Sequence, residues 1–377
     1  MSIDIPTHED LVELSQQRNA ASVSLYVSPG STDGGPPIGR DTEAARLALR
    51  SSATEAIAEL GVLGVEKAEL DAIGQAMAAL DHNTDFWSSS ARSVAVFSSP
   101  EVTRAFRVRN ELPSHVATGD RFDLGPLLRA TTFGHSGYVL ALTQGSVRLL
   151  ALNADDSSVE LALPTLPDDL GRSLEIADNE GKADMPRADG ALGPKIELRR
   201  YSSRVQEAVL DVIGASGLPL VLAASSDLQP AYREVSTYRV LLDAAIDANP
   251  SSLSLEDLEV RGRAILAESH AKELESWRSS FGNKRSNGVA SSQLSDVAHA
   301  ATAGLVDTLL FDLESTDEGD IDEYGTVKFA SEPGPTTYGL VDEIAARVLR
   351  TGGSVKAVRS DDLPDDSPVA ATFRGPL

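Results

Sequence analysis

Residues 138–152 have the sequence YVLALTQGSVRLLAL, in which two apolar runs flank a short polar one. The runs 138–143 and 147–152 predict two strands, and the Gln-Gly-Ser between them predicts a hairpin turn because glycine tolerates positive φ. Further along, residues 218–224, LPLVLAA, are almost continuously apolar. Such a run is typical of a strand that is buried on both faces of a parallel sheet. We therefore place these runs in one α/β unit.

The part of the chain before this unit predicts a strand, a helical hairpin and two further strands. Residues 22–27, SVSLYV, alternate apolar and polar side chains as a half-buried strand does. Apolar residues at helical spacing predict a helix over 41–60, and we expect Gly61 to form its left-handed C-terminal cap. The remaining predictions here are a helix at 67–80 and strands at 93–97 and 104–109.

A long polar segment and a polar boundary divide the rest of the chain. Residues 164–194 are rich in Asp, Gly and Pro, and a loop of this length inside a domain is usually functional or disordered. Asn249-Pro250-Ser251-Ser252 predicts a boundary, and Ser254 with Asp257 resembles a helix-capping pair. We predict helices at 201–213, 228–234, 255–280, 293–303 and 340–349, strands at 159–163, 306–311, 354–358 and 369–373, and an acidic loop at 314–323.

The length of the chain, 377 residues, predicts two or three domains at roughly 100–200 residues each. We place three. Residues 1–130 form an N-terminal α/β domain with the helical hairpin, and residues 131–251 form a middle domain with the loop 164–194. In residues 252–377, alternating helices and strands favour an α/β/α sandwich.

The composition limits the classes of function. The sequence has no cysteine, which excludes a disulfide framework, a thiolate zinc site and a cysteine nucleophile. A net charge of −24 is unusual for a nucleic-acid binder, although a local basic patch can still bind RNA. No stretch approaches the ~20 apolar residues of a membrane helix, and the first residues do not resemble a signal peptide. We expect a cytoplasmic protein with neither a membrane nor a DNA partner.

Signatures of catalysis and metal binding are missing from the sequence. It contains no GxxxxGK[ST], GxGxxG, HExxH or GxSxG motif, and its six histidines lack metal-ligand spacing. Adjacent aspartates such as Asp155-Asp156 and Asp361-Asp362 lie in loop contexts, where solvated neighbours rarely share a proton or a metal. We expect no catalytic residue, cofactor or metal. A hydrolase or nuclease in the middle domain would need two convergent carboxylates and a divalent ion.

Basic residues form two candidate RNA-binding patches. In the first, the i, i+4 spacing puts Arg200 and Arg204 on one helix face, and a solvated face paired with acidic neighbours is the alternative. The members of this patch are Lys182, Arg187, Lys195, Arg199, Arg200 and Arg204. The second patch consists of Arg104, Arg107 and Arg109.

Several phrases resemble those of bacterial homologues of the archaeal/eukaryotic peptide chain release factor and Pelota family. They are DFW at 85–87, RFDLGPLL at 121–128, VLALTQ at 139–144 and YREV at 232–235. The resemblance extends over nearly the whole chain in the order of its elements. It implies a mixed-sheet N-terminal domain, an RNase H-like middle domain and an eL30/L7Ae-like α/β/α C-terminal domain.

Two functional motifs of that family are missing here. Peptide release depends on Gly-Gly-Gln, and the matching loop at 180–193, EGKADMPRADGALG, lacks it. Stop-codon reading uses Asn-Ile-Lys-Ser, which the matching link with Gly61, Gly64 and Lys67 does not contain.

The resemblance therefore implies a non-catalytic factor, like Pelota or the bacterial factor Balon. Such a factor binds the ribosomal A site in rescue, hibernation or stress. Its long loop would face ribosomal RNA, and the link 61–67 would face the decoding region. The alternative, which the acidic composition favours, is a protein-binding adaptor that has kept the fold without ribosome binding.

Overall fold

A computed structural model describes residues 6–28, 42–88, 91–108, 110–132, 136–143, 145–153, 158–166, 192–332, 334 and 337–376. The chain forms two compact units. One contains Met1–Gly134 together with Glu273–Leu377, and the other contains His135–Lys272. Both units combine helices with sheets, which confirms the predicted mixed α/β class. The RNase H-like and eL30/L7Ae-like assignments of single domains stay predictions.

The first segment of the chain forms a four-stranded antiparallel sheet with helices on it. Its elements are α1 His8–Gln16, β1 Ser22–Val27, α2 Thr42–Val62, α3 Lys67–Asp81, α4 Thr84–Trp87, β2 Ser93–Ser98, β3 Thr103–Val108, β4 His115–Gly119 and α5 Gly125–Thr132. The strand order is β3-β2-β1-β4. Val23, Leu25 and Val27 pack against apolar residues of α2 and α3. Strand β1, which the sequence predicts to be half-buried, is buried on both faces. On its second face the side chains of Ser24 and Tyr26 form hydrogen bonds with the backbone of Asp123.

The middle unit has a five-stranded sheet covered by helices on both faces. Its elements are β5 Gly137–Leu142, β6 Val147–Leu152, β7 Ser158–Leu161, α6 Leu192–Ile213, β8 Leu220–Ala224, α7 Leu228–Val235, β9 Leu241–Asp247 and the first part of α8 Leu255–Ser286. The order is β7-β6-β5-β8-β9, with β5, β8 and β9 parallel and β6 antiparallel to its neighbours. Tyr138 and Leu140 pack with α6, whereas Val139 packs with α8. The predicted hairpin and the doubly buried β8 are confirmed.

The last segment carries a four-stranded mixed sheet and a small three-stranded sheet. Its elements are β10 Ala290–Ser291, α9 Leu294–Thr302, β11 Val306–Asp312, β12 Glu318–Ile321, β13 Val327–Phe329, β14 Tyr338–Gly339, α10 Leu340–Arg350, β15 Ser354–Val358 and β16 Val369–Phe373. The orders are β10-β16-β11-β15 and β13-β12-β14, and β11 with β15 is the parallel pair among them. Leu274 and Phe281 of α8 pack on the larger sheet.

The α8 helix begins as the sequence predicts, but its early turns belong to the middle unit. The Ser254 hydroxyl accepts a hydrogen bond from the Asp257 N–H at 3.0 Å, and the Asp257 carboxylate accepts one from the Ser254 N–H at 3.0 Å. This confirms the capping pair. Leu258 and Leu266 then pack in the core around Val139, so the unit extends beyond the predicted boundary at residue 251. The three-domain division itself stays a prediction.

Two local predictions are wrong. The C-terminal cap of α2 is not Gly61, which lies inside the helix, but Gly64, whose φ is +87°. The Val65 N–H donates to the Leu60 carbonyl at 3.1 Å and the Gly64 N–H to Gly61 at 3.2 Å, which is the Schellman pattern. The predicted acidic loop at 314–323 contains strand β12, because Gly319 and Ile321 point inward while the acidic residues between them remain partly exposed.

Candidate functional site

The turn between α2 and α3 is an exposed tip. The predicted site residues Gly61, Gly64 and Lys67 all lie exposed there. Two apolar side chains accompany them, with Val62 89% exposed and Leu63 46% exposed. The tip therefore offers an apolar contact surface with one nearby ammonium group, held in shape by the Schellman cap.

The arginines of α6 lie on its exposed side, as their spacing predicts. Arg199, Arg200 and Arg204 are exposed, while Tyr201 and Val205 of the same helix are buried in the core. Arg199 forms an ion pair at 3.2 Å with Glu234 at the end of α7. An exposed pair of this kind contributes little stability, so the Arg199 guanidinium remains accessible to phosphate.

The side chains of the other three predicted members of this patch lie outside the described part of the structure. Lys182 and Arg187 lie outside the described residues, as does most of the predicted loop 164–194. Lys195 lies in α6, but its side chain is outside the described part of the chain.

The second predicted patch is divided between two faces of a sheet. Arg104 and Arg107 lie on β3 at positions of opposite parity, so they point to opposite faces. Arg104 pairs with Glu13 of α1 at 3.0 Å. Arg107 lies over the Phe86 ring, 5.4 Å from its centroid. The structure therefore does not bring these two side chains together, and Arg109 lies outside the described residues.

The structure assembles a cluster of charges that the sequence did not reveal, which we call the Glu343 cluster. The Glu343 side chain on α10 is only 4% exposed. One of its oxygens, Oε2, lies 3.1 Å from Arg121 Nη1. The other, Oε1, lies 2.9 Å from Arg347 Nε, 3.3 Å from Arg350 Nη2 and 3.7 Å from Arg18 Nη2. One buried carboxylate thus faces four guanidinium groups from three distant parts of the chain.

The charges of the cluster perturb one another. Burial raises the pKa of Glu343, but the charge of Arg121 and the hydrogen bond from Arg347 outweigh it, so the pKa lies below its ordinary value. Burial lowers the pKa of Arg18, and repulsion from Arg121 and Arg350 adds to this effect. Glu343 is therefore ionised, and positive charge is in excess around it.

A second buried carboxylate, Asp342, lies next to the Glu343 cluster. Arg129 of α5 pairs with its Oδ1 at 2.9 Å, and Arg129 also donates to the Leu313 carbonyl at 2.9 Å. The absence of a side chain at Gly125 permits this packing, since a Cβ there would lie 2.5 Å from Asp342 Oδ2. Burial raises the pKa of Asp342 to about 7. Two consecutive residues of α10 thus bind arginines of the first segment.

Within the described ranges, no group of three or more His, Asp or Glu side chains is arranged to hold a metal ion. None of the helices described is long and apolar enough to cross a bilayer.

The middle unit is similar to a known protein family. Residues 134–272 match the bacterial archaeo-eukaryotic release factor family 11, and these bounds nearly coincide with the compact unit His135–Lys272. No curated protein matches the chain.

Solved structures of low identity are also similar. A ribosome-bound archaeal Pelota is 13% identical, with 100% of this chain and 96% of that chain covered and a TM-score of 0.41. Archaeal translation termination factor aRF1 is 13% identical, with 98% of each chain covered and a TM-score of 0.24. Archaeoglobus fulgidus Pelota is 11% identical, with 99% and 98% covered and a TM-score of 0.28.

Proposed function

We propose that the chain is a ribosome-associated factor that binds the A site in rescue, hibernation or stress, because residues 134–272 match the bacterial archaeo-eukaryotic release factor family 11. The family match is the main support for this proposal, because the matched residues coincide with a whole compact unit rather than with a fragment of one. The factor binds without hydrolysing peptidyl-tRNA, since the sequence contains no Gly-Gly-Gln at any position. We place it in the cytoplasm with the ribosome.

The exposed arginines of α6 provide the RNA contact in this proposal. With a net charge of −24, the chain as a whole is repelled by RNA, so binding needs a local cationic surface. Arg199, Arg200 and Arg204 supply three guanidinium groups on the exposed part of one helix. Guanidinium groups suit phosphate because they donate two parallel hydrogen bonds.

The tip of the α2–α3 hairpin provides a second contact. Its two exposed apolar side chains, Val62 and Leu63, are suited to packing on a surface rather than to reading hydrogen-bonding groups of a codon. The tip therefore supports occupancy of the decoding region without stop-codon discrimination.

Cosedimentation with purified bacterial ribosomes tests the proposal. We expect the full chain to bind at about 100 mM salt and to dissociate as the salt concentration rises. The variant R199E/R200E/R204E should bind at least tenfold more weakly, with a salt dependence lower by about one per lost phosphate contact. The matched control is R239E/R261E/K272E, which reverses three exposed charges of the same unit that are not on α6 and should bind like the wild type.

The result that overturns the proposal is an absence of wild-type binding to ribosomes from both exponential and stationary cells. That result would favour the acidic adaptor. Equal losses in the two triple variants would show that only net charge matters and would remove α6 from the interface. The variant V62S/L63S examines the tip separately, and we expect it to weaken binding without changing its salt dependence, because it removes apolar surface and adds no charge.

A further inference from the structure

A pocket of about 390 Å³ lies beside Glu343, in the unit formed by the first and last segments. Volumes of this size are typical of small-molecule sites, which span about 300–1,000 Å³. The charged residues that line it are Arg18, Arg121, Arg347, Arg350, Glu323 and Glu343. Four arginines face two glutamates here, and Asp120 outside the lining pairs with Arg121, so one positive charge remains in surplus in a chain that is strongly acidic overall.

The four arginines differ in how many donors they have left. Arg347 is the most engaged, because its three nitrogens donate to Glu343, the Thr302 hydroxyl and the carbonyls of Ile321 and Asp322. Arg121 donates to Asp120, which is outside the pocket lining, and to Glu343. Its guanidinium also stacks on the Tyr338 ring, 3.9 Å from the centroid. These two arginines build the wall of the pocket.

Arg18 and Arg350 retain unused donors. Both donate through Nη1 to the Ser15 carbonyl, at 2.9 and 3.1 Å, which holds the two side chains side by side. Among the described residues, neither Nε has a protein acceptor, and Arg18 Nη2 is 3.7 Å from Glu343, too far for a hydrogen bond. The Arg18 side chain is 37% exposed and gives access from solvent.

We propose that this pocket binds the phosphoryl group of a small phosphorylated molecule through Arg18 and Arg350. Paired guanidinium groups with free donors recognise tetrahedral oxyanions by bidentate hydrogen bonds. Arg18 and Arg350, the two arginines with unused donors, suit a terminal phosphate, which carries about −1.5 to −2 at neutral pH. An internal phosphodiester carries only one negative charge. This inference does not depend on the proposed ribosome association.

Thermal unfolding of the full chain in increasing inorganic phosphate tests the proposal, with sodium chloride at equal ionic strength as the reference. A ligand that binds the native state raises the unfolding midpoint in proportion to ln(1 + [L]/Kd). We expect phosphate to stabilise the wild type beyond the salt reference, and pyrophosphate to do so at lower concentration. In R18Q the apparent Kd for phosphate should rise at least tenfold. R359Q, which removes an exposed arginine of the same unit outside the pocket lining, should leave it unchanged.

A second variant tests the charge argument in the opposite direction. Glu323 is exposed at the pocket lining, so E323Q should fold normally and bind phosphate several-fold more tightly by removing a repelling carboxylate. A short RNA without terminal phosphates should not compete with pyrophosphate. The proposal is overturned if phosphate acts no differently from chloride, if R18Q and wild type respond equally, or if the blocked RNA competes as well as pyrophosphate.

Discussion

The raised pKa of Asp342 predicts that the unit containing it loses stability as the pH rises. Burial is the main cause, the charge of Asp123 adds to it, and Arg129 opposes it without cancelling it. The folded pKa is about 7, against 3.8 for an ordinary aspartate. Between these values the folded state holds a proton that the unfolded state has released. Stability therefore falls with rising pH across this window and is level above it.

The variant Asp342→Asn removes this titration while keeping the shape of the side chain. The slope is close to 1.36 kcal/mol for each pH unit at pH 5 and half of that at pH 7, where Asp342 is half ionised, so a rise from pH 5 to pH 7 lowers the free energy of unfolding of the wild type by about 2 kcal/mol relative to the variant. The loss of the Arg129 ion pair changes the free energy of unfolding of the variant by a nearly constant amount above pH 7. The slope, rather than the offset, therefore measures the effect.

Urea unfolding followed by tryptophan fluorescence provides the measurement. Both tryptophans, Trp87 and Trp277, lie in the same unit as Asp342, so their signal reports on that unit. The His115–Asp123 hydrogen bond also titrates, since it raises the pKa of His115, but both proteins contain it and its contribution cancels. The control is Asp361→Asn at an exposed site, which should run parallel to the wild type. If the wild-type and Asp342→Asn curves are also parallel, within about 1 kcal/mol, the burial argument is refuted.

Two pairs of glycine variants test backbone geometry and close packing. Gly64→Ala should lower the free energy of unfolding by about 1 kcal/mol because φ is +87° at this position, whereas Gly61→Ala, inside α2, should be neutral or stabilising. Urea unfolding followed by tryptophan fluorescence measures both variants. A larger loss for Gly61→Ala than for Gly64→Ala would contradict the cap assignment. Gly262→Ala should cost about 1–3 kcal/mol because its Cβ would lie 2.4 Å from Val139 Cγ2, while Gly282→Ala, with open space around it, should be stabilising. Thermal unfolding by circular dichroism compares this second pair, and equal effects would refute the close approach of α8 to β5.

Sequence patterns predict the central elements better than the edges. The apolar runs that become β5, β6 and β8 are buried by their own side chains, so composition alone indicates them. The strands β4 and β9 were not predicted, and both lie at the edge of a sheet with mixed burial. Their conformation depends on backbone pairing with a neighbour, which leaves little trace in the sequence. Helices α1 and α5 were also not predicted.

The Glu343 cluster shows that sequence patterns also predict only the local part of a site. The predicted helix at 340–349 puts Glu343 and Arg347 on one face, and in the structure these two residues form an i, i+4 ion pair. Arg18 and Arg121 reach the same carboxylate from the first segment, and no local pattern links positions so far apart. Conversely, the proximity of Arg104 and Arg107 in sequence suggested a patch that strand geometry separates.

The pairing of Arg121 and Arg129 with α10 has a consequence for how the chain is made. Arg129 and Asp342 are separated by 213 positions, and the whole middle unit is encoded between them. At about 5–20 residues per second, the nascent chain exposes these arginines for roughly 10–40 s before their carboxylates are synthesised. The middle unit is continuous in sequence and can complete its fold first. The unit that encloses it in sequence cannot form these ion pairs until the last segment has been synthesised, and Arg121 and Arg129 lack their α10 partners during that interval.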